Sequence, residues 1–148
     1  MATLQKIVPF LWFDNQAKEA ATYYCSIFPD SGIISHSPLI TEFKLCGQSF
    51  SALNGGPKFK FTEAVSFVIN CIDQKEVDFY WNTLTSDGGK ESMCGWLNDK
   101  FGLSWQVVPQ QFVYMMSQGS ETQKKKMMDK LLTMQKLIVS DLEAAFNS

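Results

Sequence analysis

Sliding the chain against itself by 57 positions pairs Val8 to Gly32 with Val65 to Gly89 without a gap, and seven of those 25 pairs are identical. Chance would give roughly one or two. The identities are Val8/Val65, Phe10/Phe67, Lys18/Lys75, Glu19/Glu76, Tyr23/Tyr80, Asp30/Asp87 and Gly32/Gly89, with Tyr24/Trp81 and Ile27/Leu84 as conservative matches. Each copy reads as an apolar strand, a polar start signal, an amphipathic stretch of about 13 residues and a closing Asp and Gly. The chain must therefore fold as one supersecondary unit used twice. The helical parts align more firmly than the strands.

Around each strand and helix the turn chemistry completes a module. Asp73 followed by Glu76 has capping-box character, Asp14-Asn15 offers a cap for the first helix, and Gly32 and Gly88-Gly89 suit left-handed exits. Three short runs follow the first helix, Ile33 to Leu39, Ile40 to Leu45 and Phe50 to Asn54, broken by Ser37-Pro38 and Gly47-Gln48. After the second helix, Ser92 to Leu97 and Leu103 to Val108 flank a hairpin-type interruption from Asn98 to Gly102. The expected fold is α+β: two tandem βαβββ modules, residues 1–56 and 57–112, forming a curved mixed sheet around a cavity. Asn54-Gly55-Gly56-Pro57 links the modules, residues 113–148 form a helical tail, and the whole is expected as one structural domain.

In that tail Ser120 with Gln123 and Ser140 with Glu143 both read as capping boxes, opening helices at Glu121 to Gln135 and Asp141 to Phe146. Met127, Met128, Leu131, Leu132 and Met134 make an apolar stripe for packing against the body or a second subunit. Lys124, Lys125, Lys126 and Lys130 read as a solvated face.

Composition then excludes several function classes. A net charge of −2 and a pI near 5.3 argue against a nucleic-acid partner, which calls for a clustered basic surface. Disorder is excluded by 12 Phe, 4 Trp and 4 Tyr, enough for a substantial core. No apolar run approaches the roughly 20 residues of a membrane helix, and the first residues lack a signal-peptide pattern, so a cytoplasmic location without a membrane partner is expected. Cys25, Cys46, Cys71 and Cys94 are too far apart for a CxxC element and are expected as free thiols. With His36 as its one histidine, the chain cannot build a two-His zinc site and is poorly equipped for a nucleophile-His-acid triad. Neither Gly55-Gly56 nor Gly88-Gly89 has the spacing of a nucleotide-phosphate loop, and there are too few helices for a Rossmann-type methyltransferase. No cofactor is expected, and no catalytic residue is nominated.

Strand alternation supplies the candidate site. Phe10 and Trp12, Phe50 and Asn54, Ser66 and Asn70, and Ser104 and Gln106 would share an even-numbered face, while Leu11, Phe13, Phe67, Ile69, Trp105 and Val107 point oppositely. The odd set is more apolar and should lie under the helices. That leaves aromatic walls with a few amides and hydroxyls, a lining for a small neutral or aromatic molecule. Trp12, Asn54, Ser66 and Gln106 are expected to converge on one cavity.

Several strings bring a family into view. Pro9-Phe10-Leu11-Trp12-Phe13-Asp14, Tyr23 to Pro29, Ala52 to Pro57, and above all Cys94 to Pro109 resemble the PhnB-like proteins of the vicinal oxygen chelate superfamily, along essentially the whole chain. That superfamily also holds glyoxalase I, bleomycin-resistance proteins and extradiol dioxygenases. The resemblance implies two βαβββ modules around a cavity, commonly in a homodimer, and a demethylubiquinone 3-methyltransferase-like label. Metal-using relatives carry His, Gln or Glu where this chain places Val8, Asn54, Ala64 or Ser66, and Gln106, a set with no carboxylate or imidazole. The expected function is metal-independent binding of a small aromatic or quinone-like ligand. The alternative is a glyoxalase-like, dioxygenase-like or methyltransferase-like enzyme.

Overall fold

The computed structural model describes residues 4–148. The chain divides into two compact units, 1–61 and 62–148. In the first, β1 (Phe10–Phe13), α1 (Ala17–Ile27), β2 (Gly32–His36), β3 (Ile40–Leu45) and β4 (Gln48–Asn54) give a four-stranded mixed sheet in the order β1-β4-β3-β2. In the second, β5 (Ser66–Cys71), α2 (Gln74–Thr85), β6 (Lys90–Glu91), β7 (Trp96–Asn98) and β8 (Ser104–Pro109) repeat it as β5-β8-β7-β6. Each unit thus carries one βαβββ module, and the second continues into α3 (Gln110–Gln118), α4 (Glu121–Leu131) and α5 (Val139–Phe146).

Each helix buries a stripe at 3.6-residue spacing on one face of its own sheet. From α1 the stripe is Ala17, Ala20, Ala21, Tyr24 and Ile27. Tyr24 stacks at 6.4 Å on Phe43, which stacks at 5.5 Å on Phe50. From α2 it is Val77, Tyr80, Trp81 and Leu84. The Trp81 indole, buried with them, donates to Glu91 Oε1 at 2.6 Å, so its polar edge is satisfied.

Two of the caps differ from the sequence reading. Asp73 accepts from the Glu76 backbone at 2.9 Å and Ser120 with Gln123 forms a full capping box, as read. Neither Asp14 nor Asn15 caps α1; the Ala17 N–H is taken at 2.8 Å by the side chain of Asn54, from the end of β4. At α5 the N-cap is Ile138, with no side-chain bond, because the helix starts at Val139, before Ser140 can serve. The left-handed exits fall on Asp30 (φ 48°) and Asp87 (φ 52°), followed by Gly88 (φ 104°), and not on Gly32 or Gly89. An Asp tolerates that region through local side-chain bonding.

Helix α3 has no counterpart in the sequence reading, and α4 stops at Leu131 where a helix to Gln135 was expected. The three tail helices close over Met115, Met127, Leu131, Met134, Leu137 and Leu142. Backbone bonds join this tail to the second sheet, from Cys94 N–H to Met134 O and from Gly95 N–H to Gln135 O, both 2.8 Å. Gly95, at φ +82°, is required there: a Cβ would meet Leu137 at 3.0 Å, on a backbone side chains avoid. The Gln74 carboxamide clasps the same loop, donating to Leu137 O at 3.1 Å and accepting from Val139 N–H at 2.7 Å.

Candidate functional site

One face of each sheet is covered by its helix, and the other is the candidate binding surface. Residues paired across neighbouring strands share a face, so the register assigns every side chain. In the first unit Leu11 pairs with Ala52 and Phe13 with Asn54, while Phe10 pairs with Ser51 and Trp12 with Leu53. The buried Leu11, Phe13, Phe43, Phe50 and Ala52 therefore define the helix face. The open face carries Phe10, Trp12, Ser51 and Leu53, extended by Ile40 and Glu42 of β3.

This corrects the placement of Phe50 and Asn54, read from parity as neighbours of Trp12. Strand β4 pairs with β1 out of parity, so its even residues point under α1. Phe50 is core, stacked on Phe43. Both ends of the Asn54 amide are engaged, Oδ1 by Ala17 N–H and Nδ2 by Pro38 O at 3.0 Å. Phe10 and Trp12 do lie on the open face. Glu42 joins them, accepting from the Ser35 hydroxyl at 2.9 Å; the sequence reading lacked it because β3 was not assigned a face.

Trp12 is strapped by the chain that follows β4. Gly55 N–H donates to Phe13 O, Gly56 N–H to Asp14 O, and the Trp12 indole N–H to Gly56 O at 2.9 Å. Only glycine permits this approach, since a Cβ on Gly55 would overlap the indole ring. Beyond it, the Phe59 and Trp12 rings meet edge-to-face at 4.9 Å and 79°, and those of Phe61 and Phe13 likewise at 5.2 Å and 77°.

In the second unit parity holds. Ser66 pairs with Ser104, Val68 with Gln106 and Asn70 with Val108 in β5 and β8, and Trp96 and Asn98 of β7 lie opposite Gln106 and Ser104. Gln106 Nε2 donates to Ser66 Oγ at 2.9 Å. Asn98 Nδ2 donates to Ser104 Oγ at 3.0 Å and reaches Glu63 Oε1 at 3.3 Å. Ser104 is fully buried beneath this network and Asn70 is exposed beyond it. Trp96 and Glu63 were missed by the sequence reading, Trp96 because β7 was given no face and Glu63 because it precedes its strand. The loop from Asn98 to Gly102 is locked from the helix side: Asp99, 2% exposed, takes Phe101 N–H and Leu103 N–H on Oδ1 and the Trp105 indole N–H on Oδ2, at 2.8, 3.1 and 2.9 Å.

These donors do not fit a divalent metal. Asn54 is spent on α1, Ser66 and Gln106 bond each other, and Val8 and Ala64 offer no side-chain ligand. Among the described residues no group of three or more His, Cys, Asp or Glu stands ready to hold an ion. A hydroxyl and two amides without carboxylate or imidazole are a weak shell for Zn, Fe or Mn.

Comparison with known proteins places the chain. Residues 5–108 match the family model described as 3-demethylubiquinone-9 3-methyltransferase. A Bacillus cereus structure described as a 3-demethylubiquinone-9 3-methyltransferase, PhnB protein, is 32% identical, matches 71% of this chain over 99% of its own, and has a TM-score of 0.65. A Pseudomonas aeruginosa structure is 21% identical over 72% of this chain and 98% of its own, with a TM-score of 0.58. A genomically encoded fosfomycin resistance protein from Listeria monocytogenes, solved with Mn(II) and sulfate, shares the fold at 14% identity, over 74% and 90% of the two chains, with a TM-score of 0.55. No curated protein matches. The family match stops at residue 108, so α3–α5 lie beyond it, although the resemblance was read through the tail. No helix among the described residues is long and apolar enough to cross a membrane.

Proposed function

The chain belongs to the family described as 3-demethylubiquinone-9 3-methyltransferase, the PhnB-like branch of the vicinal oxygen chelate fold, and from that premise we propose that it binds a small aromatic or quinone-like molecule without a resident metal. The observation that carries this reading is the Ser66–Gln106 pair beside Trp96 on the open face of the second sheet. With Gln106 Nε2 donating to Ser66 Oγ, the serine's own proton and the Gln106 carbonyl oxygen are left to face a ligand, one donor beside one acceptor. Trp96 supplies a flat apolar wall. A ring bearing a carbonyl or hydroxyl satisfies both features, because the oxygen meets the polar pair while the ring lies against the indole.

The test is a thermal-shift screen of quinones, catechols and simple aromatics, since a ligand that prefers the folded chain raises its apparent stability. Gln106→Ala should abolish the shift given by the best quinone-like compound without lowering the melting point of the empty protein. If every such compound leaves the midpoint unmoved at millimolar concentration, the reading fails.

A second reading is favoured by Glu63, whose carboxylate lies beside the Asn98 amide on the same face. There it could accept a proton from a bound hydroxyl, making the protein an enzyme on such a ligand. Turnover of a bound compound by the wild type and its loss in Glu63→Gln, with binding retained, would decide for it.

A further inference from the structure

We propose that the Trp12 indole is a subsite for a planar aromatic anion, and that Phe59 fills it until such a ligand arrives. The strap from Gly55 to Phe61 is held unevenly. Its first end is fixed by three hydrogen bonds, from Gly55, Gly56 and the indole itself, and its last by the Phe61 ring against Phe13. Between them Pro57, Lys58, Phe59 and Lys60 are all exposed. What ties this middle to the sheet is the Phe59 ring on Trp12.

That contact is an odd use of a phenylalanine. Phe59 remains 56% exposed, so the residue keeps over half its surface in water while its ring makes an edge-to-face pair with Trp12. Such a pair shifts an equilibrium by a factor of only about two to ten. It holds the strap down, yet an incoming ring that lies flat on the indole, and buries more surface there, replaces it. Both strap ends are anchored independently of Phe59, so its departure moves four residues and leaves β1 and β4 paired.

Charge selects the occupant. Lys58 lies with its Nζ 5.3 Å from the Phe59 ring centroid, and Lys60 follows on the other side of Phe59 in sequence. Neither is in an ion pair with a carboxylate among the described residues. The Lys58 ammonium on the ring, with the Lys60 charge two residues further along the same exposed strap, favours a ring that carries a carboxylate, sulfonate or phenolate over a neutral one.

The proposal shares with the reading above only the idea that the chain takes small aromatics; its residues are different, so the two can fail separately. The test follows the indole N–H resonance of Trp12, assigned with Trp12→Phe, during titration with 2-naphthoate and with neutral 2-naphthalenemethanol. Phe59→Ala should bind 2-naphthoate about three- to tenfold more tightly than wild type, and Phe59→Leu, which keeps apolar bulk without a ring edge, should do the same. Lys58→Gln with Lys60→Gln should weaken 2-naphthoate several-fold and leave the alcohol unchanged. Unchanged or weaker binding in both Phe59 variants overturns the proposal. So does a Trp12 resonance that stays still while signals of Ser66, Trp96 and Gln106 move, an outcome that upholds the second-sheet site.

Discussion

Replacing Asp99 by Asn tests how the Cys94 to Pro109 string holds its shape. The wild-type carboxylate is 2% exposed and takes three N–H donors, two from the backbone of its own turn and one from Trp105. Both carboxylate oxygens accept, whereas an amide offers one acceptor and one donor. Whichever way the Asn sits, its NH2 confronts an N–H, either the Trp105 indole or the pair from Phe101 and Leu103. Losing charge from the remaining bonds and stranding at least one buried donor should cost about 2–4 kcal/mol. For a chain of this size that is a fall in Tm of roughly 5–12 °C. The assay is thermal and urea unfolding of wild type, Asp99→Asn, Trp105→Phe and the double variant. Because Trp105→Phe removes the indole donor, an Asn oriented with its oxygen toward the backbone donors is then tolerated, and Asp99→Asn should cost at least about 1 kcal/mol less in that background. An equal cost in both backgrounds would refute the account, since the Trp105 bond would then contribute nothing.

Three further outcomes are expected. The Cys71 thiol pKa is pushed up to about 12, first by burial and then by the Glu76 and Asp73 carboxylates; it lies above the ordinary thiol value of about 9 that the unfolded chain keeps, so the stability it contributes is present below pH 9 and is lost as pH rises from there toward 12. Cys71→Ala should flatten that alkaline decline, and in the native wild type at pH 8 an aromatic disulfide reagent should modify the exposed Cys46 well before Cys71. Gly55→Ala should destabilise the first unit by about 1–3 kcal/mol through overpacking on the indole and move the Trp12 indole resonance; a variant with wild-type stability and spectrum would contradict the strap. Calorimetry with S-adenosylmethionine should give no heat of binding, because no glycine-rich turn follows the first strand; micromolar binding would restore the methyltransferase reading.

The module was legible because a duplicated, amphipathic helix is a strong periodic signal. Tyr24 and Trp81 occupy the same position in their stripes, as their pairing in sequence implied. Helix α3 went unread, since Pro109 caps it without a side-chain bond and its stripe is short: Met115 alone is buried, with Phe112 and Met116 half-covered beside it. The open face was read correctly for β1, β5 and β8, where each strand's own alternation is clear. It failed for β4 because facing depends on which residue lies across the ladder, and the pairing of Phe10 with Ser51 is a property of two distant segments. Asn54 was misread for a related reason: its partner, the Ala17 N–H, belongs to a helix start 37 residues away.

The two modules do not repeat with one spacing throughout. By burial, Tyr24 answers to Trp81, 57 positions on, but Leu11 answers to Phe67 and Phe13 to Ile69, 56 positions on. One extra residue between strand and helix in the second copy accounts for the difference. Its effect is out of proportion to its size, because every side chain on a slipped strand changes sides. The identical pair Phe10 and Phe67 thus ends in opposite places, one ring in solvent on the open face and the other against Trp105 at 5.7 Å. A duplicated gene begins with two copies of the same surface, and substitutions alone would have to remodel it one position at a time. A single inserted codon exchanges open face for core along a whole strand at once, so two unlike open faces can descend from one ancestral module in a single step.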